Sequence, residues 1–213
     1  MLRLTARDRD HLASIGTLMR PPAGIELYRR GEEAKAVYSV SSGTLTSYRE
    51  RPDGTRRVVG FLFAEDVFGL ASRGLYVNTV KTVTPAVLFR FPTESLMALL
   101  TRDGALQLRF LCKVTHALRE TQRQAIMLTR RDPVERVAMF LAHLEDAQGD
   151  RRLDRAGIGL PMTHQDIGDY LNLPAGTVDG ALDALVERGL IRHDQDDTVH
   201  IVEREAFTTL VGG

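Results

Sequence analysis

The fold of this chain is decided by residues 160–191, which read L-P-M-T-H-Q-D-I-G-D-Y-L-N-L-P-A-G-T-V-D-G-A-L-D-A-L-V-E-R-G-L-I. Two helical patterns flank a short break, Asn172-Leu173-Pro174, which has the length of the turn in a helix-turn-helix. A helix-start signal, Thr163 followed by Asp166, precedes the first pattern. The apolar face of that pattern is formed by Ile167, Tyr170 and Leu171.

The second pattern and the residues after it complete the motif. The second pattern has apolar residues at helical spacing, namely Val178, Leu182, Leu185 and Val186. Gly189 follows them and suits a left-handed end of the helix. Residues 190–192 and 198–202 then alternate apolar and polar side chains around the turn Asp194–Asp197, which predicts a two-stranded wing. The whole stretch therefore predicts a winged helix-turn-helix, an architecture typical of DNA-binding domains.

The composition is that of a globular protein. Of the 213 residues 43% are hydrophobic, and no run approaches the roughly 18 apolar residues of a membrane span. The N-terminus is too charged for a signal peptide, so we expect a cytoplasmic protein without membrane association.

The single cysteine, Cys112, excludes an internal disulfide framework. We expect it to be buried in a helix, with a bond to a second subunit or a redox role as alternatives.

The charges are unevenly distributed. The formal net charge is zero, yet residues 1–131 carry 21 Lys and Arg against 12 Asp and Glu, a balance of +9, and residues 132–213 carry 7 against 16, a balance of −9. The part with the DNA-binding pattern is thus the acidic part. This is the opposite of the charge expected of a protein that neutralises phosphates.

The N-terminal part has the pattern of an all-β domain. Short β-branched or alternating segments occur at 36–40, 44–48, 57–63 and 80–91, with glycine-containing turns between them. Many short strands of this kind predict a closed jelly roll, because closure removes edge strands. Short helices are expected at 8–18 and from Pro92 onward, the second with its inward face at Leu96, Leu99 and Leu100.

The clearest helical periodicity lies between Leu106 and Leu128. Residues recur at alternating spacings of 3 and 4 with charged neighbours, at Leu111, Val114, Leu118, Thr121, Ala125 and Leu128. Such a heptad seam predicts a parallel homodimer, although a core-facing helix of one chain would repeat in the same way. Thr121, the polar seam residue, either sets the register or contacts a ligand. Asp132 and Pro133 then suit the start of a new helix, which marks a hinge.

These patterns predict an α+β protein in three parts. Residues 1–105 form a jelly-roll β-roll that acts as a sensor, 106–131 form a long dimerisation helix, and 132–213 form the winged helix-turn-helix domain.

The order of several motifs around the long helix resembles one known family. They are R-R-G-E-E-A-x-x-V-Y at 29–38, E-D-V-F-G-L at 65–70, D-P-V-E-R-V-A-x-F-L at 132–141 and M-T-H-Q-D-I-G-D-Y-L-N-L at 162–173. Over residues 20–205 the chain resembles the cyclic-AMP receptor protein and fumarate-nitrate regulator (CRP/FNR) superfamily, and within it the branch of the nitrogen-fixation regulators. The resemblance implies a homodimeric transcription regulator whose β-roll senses a signal and whose long helices position two recognition helices in successive major grooves.

The resemblance also places an effector pocket, where this chain departs from the family. Members that bind cyclic nucleotides have a glutamate after the matching glycine and an arginine a few residues later, whereas this chain has Leu70 and no arginine from Leu75 to Thr79. Without these partners a nucleotide would lose charge-assisted hydrogen bonds of about 1.5 to 3 kcal/mol each. We therefore expect no control by cyclic nucleotide. The candidate pocket residues are Gly69, Leu70, Arg73, Lys81 and Thr121, of which Arg73 or Lys81 would have to replace the missing arginine.

We predict no cofactor, no metal site and no enzymatic activity. The N-terminal cysteine cluster of the oxygen-sensing members is absent from the sequence, and the six histidines are scattered. No nucleophile–base spacing, metal motif or glycine-rich phosphate loop occurs. Effector-free activity and thiol control through Cys112 stay open as alternatives.

The DNA-facing positions depart from the family as well. The second helix of family members typically carries E-T-V-S-R or R-E-T-V-G-R, with the glutamate and the arginine contacting base edges, and this chain has Gly176 and Gly180 at those two positions. Glycine cannot make the bidentate contact to guanine that contributes about 1 to 3 kcal/mol of discrimination. The predicted DNA-binding positions are Thr163, His164, Gln165, Gly176, Thr177, Asp179 and Gly180, with Arg192 in the wing.

Two functions follow as alternatives. The first is a DNA-binding transcription regulator with altered base readout. The second is a family member whose acidic winged domain contacts protein, either a related regulator or RNA polymerase.

Overall fold

The computed structural model of this chain describes residues 5–71, 73–149, 157–194 and 196–212. By spatial proximity the chain forms two compact units. The first consists of the residues up to Arg49 together with Gly60–Thr121, and the second consists of Glu50–Val59 together with the residues from Gln122 onward. The three-part division at residues 105 and 131 stays a prediction.

The first unit begins with α1 (Ala6–Ile15), whose N-terminus is closed by a capping box between Thr5 and Asp8. The expectation of a helix as far as residue 18 is wrong. Gly16 has an extended backbone, and Leu18 lies in a strand opposite Phe89. The described strands of the roll are β1 (Thr17–Met19), β2 (Glu26–Tyr28), β3 (Ala36–Ser42), β4 (Leu45–Glu50), β5 (Arg56–Leu62), β6 (Val67–Phe68), β7 (Thr79–Thr82) and β8 (Val87–Pro92).

These strands form two four-stranded sheets with the orders β1-β8-β3-β6 and β2-β7-β4-β5. The inward side chains of both sheets make one apolar core, because strand residues alternate between the two faces of a sheet. Its buried members include Tyr28, Tyr38, Val40, Leu45, Phe68, Tyr76, Val80 and Leu88. The arrangement confirms the predicted jelly roll.

The turn between β3 and β4 requires glycine. Gly43 has a φ of +93°, and a Cβ built there would lie 2.6 Å from the carbonyl oxygen of Pro85. A side chain at this position would separate the two strands from the loop before β8.

Two helices follow the roll, α2 (Thr93–Arg102) and α3 (Gly104–Thr129). Leu96 and Leu100 of α2 are buried, as predicted, and Leu99 packs against the same cluster. Arg109 of α3 is tied to α1 by an ion pair of 2.7 Å with Asp8, whose side chain is only 2% exposed. Lys113 Nζ also donates to Glu65, at 3.2 Å. The long helix therefore begins as a fixed part of the first unit.

In the second unit, α4 (Pro133–Gly149) starts at the predicted place, and the amide of Val134 donates to the Asp132 side chain at 2.9 Å. The remaining elements are β9 (Ile158–Gly159), α5 (His164–Leu171), α6 (Ala175–Glu187), β10 (Ile191–His193), β11 (Thr198–Ile201) and α7 (Arg204–Gly212). The wing is three-stranded, in the order β10-β11-β9, so the expectation of two strands is wrong. β9 has only two residues, too few to show alternation. Gln195 of the predicted turn lies outside the described residues.

Over the described parts of the chain, no helix has the length and apolar character needed to cross a membrane.

Candidate nucleic-acid interface

The helix-turn-helix is built on the apolar residues that the spacing predicts. Ile167, Tyr170 and Leu171 of α5 are buried, and so are three of the four predicted positions of α6, namely Val178, Leu182 and Leu185. The fourth, Val186, is 43% exposed, which contradicts its predicted burial. Tyr170 packs against Phe140 of α4 with ring centroids 5.5 Å apart. The helix pair thus has a fixed scaffold beneath it.

The turn between α5 and α6 depends on a close backbone approach. Asn172 adopts the left-handed conformation with a φ of 56°, and the Leu173 amide donates to the Gly168 carbonyl at 2.8 Å. A Cβ built on Gly168 would lie 2.5 Å from the Leu173 carbonyl oxygen. Gly168 therefore sets the angle at which α6 leaves the turn.

Gly176 and Gly180, unlike Gly168, have open space around them. Both are exposed on α6, and a Cβ built at either position meets nothing within 4 Å. Packing does not require glycine there, so side chains of any size fit. The exposed face of α6 therefore has no side chain at these two predicted DNA-binding positions.

Asp179, between the two glycines, contacts His164 at the first turn of α5. Asp179 Oδ1 and the His164 Nδ1 atom are within hydrogen-bonding distance, and the two side chains are 54% and 36% exposed. The structure therefore brings together two of the predicted DNA-binding residues. This carboxylate is partnered inside the motif rather than alone on its surface.

The other predicted contacts of α5 have local roles as well. The Thr163 hydroxyl accepts from the Asp166 amide at 3.1 Å and so caps the helix. Gln165 Nε2 donates to Asp169 at 3.1 Å. Thr177 is half-buried in the first turn of α6, where its amide donates to the Pro174 carbonyl at 2.9 Å.

Arg192, the arginine of the wing, also has a carboxylate partner. Arg192 Nε donates to Asp194 at 3.0 Å, and His200 Nε2 lies 3.0 Å from the second oxygen of the same carboxylate. The hydrogen bond from Arg192 lowers the pKa of Asp194 below its usual value. Arg192 thus carries its positive charge next to a negative one.

The electrostatic character of this surface is acidic. Residues 157–212 contain three arginines, no lysine and ten Asp or Glu residues. Arg204 is bound to Glu145 by two hydrogen bonds of 2.6 and 2.7 Å. Arg192 and Arg204 are thus both paired with carboxylates, and Arg188 is exposed at the C-terminal end of α6. Acidic side chains therefore outnumber basic ones by seven in residues 157–212, which disfavours contact with a phosphate backbone.

The comparisons with known proteins match both parts of the chain. Residues 19–103 match a cyclic nucleotide-binding domain, and residues 135–210 match a Crp-like helix-turn-helix domain. The nitrogen fixation regulation protein FixK of Rhizobium meliloti (strain 1021) is 32% identical over 187 residues, covering 88% of this chain and 83% of that protein. The fumarate and nitrate reduction regulatory protein of Escherichia coli (strain K12) is 25% identical, covering 88% and 76%.

Among solved structures, FixK2 from Bradyrhizobium japonicum superposes with a TM-score of 0.82 at 29% identity, covering 92% of this chain and 97% of that one. This chain belongs to the CRP/FNR family of transcriptional regulators. The predicted family is confirmed, and these relatives are regulators rather than enzymes.

In this CRP/FNR regulator the predicted effector residues lie in three different settings. Gly69 sits against β3, where a built Cβ would be 3.0 Å from the Ala36 carbonyl oxygen, and the side chain of Leu70 is 44% exposed. Lys81 lines an open groove of about 580 Å³ beside β2 with Glu26 and Arg29. The other two candidates, Arg73 and Thr121, are exposed, and the Thr121 hydroxyl donates to the Ala117 carbonyl at 3.1 Å.

The interior of the roll next to Gly69 is filled by aromatic side chains. Tyr28 and Tyr76 stack with ring centroids 3.6 Å apart, and Tyr38 and Phe68 stack at 5.2 Å. The Tyr76 hydroxyl donates to the Ala36 carbonyl at 2.8 Å, and burial raises the pKa of Tyr76 to about 12. These four rings therefore pack against one another within the buried core of the roll.

The predicted seam of α3 is exposed in the single chain. Leu111, Val114 and Leu118 are 56%, 39% and 59% exposed, and Thr121 and Ala125 are exposed as well, whereas Leu128 is half-buried. An apolar stripe of this kind is typical of a surface that another chain covers. Cys112, next to the seam, is half-buried rather than buried.

Two features of this CRP/FNR regulator are absent from the sequence-based prediction. One is the His164–Asp179 contact, which joins residues 15 positions apart. The other is the arginine-rich turn between β4 and β5. The charge count of the N-terminal part includes these arginines, but a count does not place them together.

Proposed function

We propose that this chain is a homodimeric DNA-binding transcription regulator of the cytoplasm with weakened base readout and without control by cyclic nucleotide. The observation that carries the proposal is the absence of a side chain at two exposed positions of α6. Gly176 and Gly180 are exposed and have open space around them, so they offer no side chain to a base edge. DNA contacts then depend on Thr163, His164, Gln165 and Thr177.

The homodimer is supported by the exposed seam of α3. Leu111 and Leu118 are each more than half exposed, and they lie seven residues apart on the same helix face. Burial of apolar surface contributes about 25 cal/mol per Å², so pairing of two such stripes stabilises a dimer. Leu108 and Ile126, at 55% and 53% exposure, extend the apolar surface on either side.

Independence from cyclic nucleotide is supported by the roll. Leu70 replaces the glutamate that holds a ribose in nucleotide-binding members and supplies no hydrogen bond. The stacked rings of Tyr28, Tyr38, Phe68 and Tyr76 fill the neighbouring interior. A nucleotide would have to bind without its usual charged partners.

One observation favours a second candidate function, in which the winged domain contacts protein. Asp179, Asp183, Asp196 and Asp197 place exposed carboxylates on α6 and the wing. An acidic surface of this kind would repel phosphates and attract a basic partner, either a related regulator or RNA polymerase.

DNA binding separates the two functions. Fluorescence polarisation with a labelled promoter-length duplex at 50 mM salt is expected to show binding by the wild-type protein. Absence of binding to any promoter fragment at that salt would overturn the first function and leave the second.

Calorimetric titration tests nucleotide control. We expect no heat of binding from cyclic AMP or cyclic GMP. Micromolar binding of either nucleotide would contradict the proposal for the roll.

A further inference from the structure

We propose that the turn joining β4 to β5 is a second DNA-contact site, which binds the phosphate backbone. The inference rests on the proposed DNA-binding function and adds a site outside the helix-turn-helix. The segment at 49–57, which we call the basic hairpin, reads R-E-R-P-D-G-T-R-R and carries four arginines and two carboxylates. Residues 49–56 are exposed, and Arg57 is half-buried.

The basic hairpin has a fixed shape. The Arg51 amide donates to the Thr55 carbonyl at 2.8 Å, and the Gly54 amide donates to the Arg51 carbonyl at 3.0 Å. Thr55 donates to Asp53 Oδ1 from its amide and its hydroxyl, at 2.9 and 2.6 Å. Because the backbone is already ordered, binding a ligand here loses less conformational entropy than binding to a loose loop.

Arginines of the basic hairpin are available to an anion. Arg49 Nε donates to a neutral partner, the Asn78 amide oxygen, at 2.7 Å. For Arg51 and Arg57, no carboxylate of the described residues lies within ion-pair distance. The guanidinium group presents donors in a planar fork that matches phosphate oxygens, so exposed arginines on a rigid turn suit a polyanion.

The proposed function of the chain favours DNA as that polyanion. The strands that the basic hairpin joins, β4 and β5, lie in a sheet of the roll, and by spatial proximity Glu50–Val59 is grouped with the residues from Gln122 onward. Among those residues Arg192 is paired with Asp194, and Arg204 is paired with Glu145. Phosphate contacts supply most of the sequence-independent affinity for DNA, and residues 157–212 have seven more acidic than basic side chains. The basic hairpin would add positive charge from outside that acidic region.

The other anionic surface that the basic hairpin could meet is the acidic winged domain of a second copy. Two carboxylates of that domain, Asp179 and Asp194, already have cationic or histidine partners within their own chain, whereas Asp183, Asp196 and Asp197 are exposed. A duplex, by contrast, carries one negative charge per about 1.7 Å of its axis. This higher density of negative charge favours DNA.

The test uses the full chain and the double variant Arg51→Gln with Arg57→Gln. A fluorescein-labelled 30-base-pair duplex of mixed sequence is titrated by polarisation between 50 and 200 mM salt. We expect at least a tenfold loss of affinity at 50 mM, and a slope of log K against log salt that falls by about 0.9 for each phosphate contact removed. The matched control, Arg30→Gln with Arg102→Gln, removes the same charge from exposed positions of the first unit and is expected to leave the slope unchanged.

A third variant, Arg51→Lys with Arg57→Lys, keeps the charge and is expected to recover most of the affinity, which excludes misfolding as the cause of the loss. An unchanged slope in the glutamine variant, with wild-type DNA binding intact, would overturn the basic hairpin as a site and leave the proposed function standing. Tighter DNA binding or a smaller particle mass in that variant would show that the basic hairpin contacts the acidic domain instead. If the wild-type protein binds no DNA, both proposals fall together.

Discussion

The imidazole of His164 and the carboxylate of Asp179 are in contact across the turn of the helix-turn-helix. His164 opens α5, and Asp179 lies on the exposed face of α6 between Gly176 and Gly180. The contact keeps the negative charge of Asp179 next to a group that donates a hydrogen bond. In the proposed complex with DNA, this contact would reduce the repulsion between Asp179 and the phosphate backbone.

Removal of that carboxylate is expected to strengthen DNA binding. Asp179→Asn eliminates one negative charge from the DNA-facing surface, an effect of about 1 kcal/mol, or about fivefold in Kd. His164→Gln removes the imidazole and is expected to weaken binding. Glu205→Gln, an exposed acid on α7, is the control for net charge. Polarisation at 50 mM salt measures all three, and equal affinities of Asp179→Asn and the wild type would contradict the role given to this pair.

Base readout is expected to return when side chains are restored on α6. Gly176→Glu with Gly180→Arg fits the open space at both positions, and each bidentate contact adds about 1 to 3 kcal/mol for its preferred base. The control, Gly176→Ala with Gly180→Ala, should raise the free energy of unfolding by up to about 1 kcal/mol per site without adding readout. Selection from a randomised duplex pool, followed by titration, compares the two. Identical sequence preferences would contradict the proposal that the two glycines weaken base readout.

The α3 seam is expected to hold two chains together. Leu118→Glu places a charge in the centre of the apolar stripe and should give a monomer in sedimentation at micromolar concentration, because a buried unpaired charge opposes association. Met97→Glu on α2 is the control, since Met97 is 58% exposed and Leu118 is 59% exposed. A dimer that survives Leu118→Glu would place the interface elsewhere.

The buried ion pair of Asp8 with Arg109 predicts a pH-dependent stability. Burial opposes ionisation, but hydrogen bonds from Arg109 and Thr5 outweigh it and lower the pKa of Asp8 from 3.8 to about 2. The stabilisation is therefore complete above about pH 4 and is lost as the pH falls toward 2. Asp8→Asn should lower the free energy of unfolding by about 3 kcal/mol at pH 7, and by much less near pH 2. Urea unfolding of both proteins at pH 7 and near pH 2 checks this. An equal loss of unfolding free energy at the two pH values would rule out ionisation of Asp8 as the cause.

The elements that the sequence predicts are those with a regular pattern of apolar residues. Regular apolar spacing places α3, α5 and α6, because a helix must bury one face. Alternation and turn residues place most strands of the roll. β9 is missed because Ile158–Gly159 is too short to alternate. Val186 follows Leu182 by four residues and so fits the helical spacing, yet it is exposed, because spacing alone does not show how far the buried face of a helix extends.

The candidate interface was predictable as a set of positions but not as a set of contacts. The resemblance places Gly176, Asp179 and Gly180 at the DNA-facing positions, which their exposure supports. The pairing of Asp179 with His164 arises from the angle that the turn imposes on α6. No local pattern encodes that angle. The rigid turn of the basic hairpin likewise depends on hydrogen bonds across the strand ends.

The contrast among the three glycines of the helix-turn-helix has a practical consequence for protein engineering. Positions 176 and 180 tolerate any side chain sterically, whereas position 168 tolerates none without moving the Leu173 carbonyl. A combinatorial library that randomises the first two and holds Gly168 constant would vary sequence preference on an unchanged scaffold. Selection from such a library would yield regulators with new operator specificities.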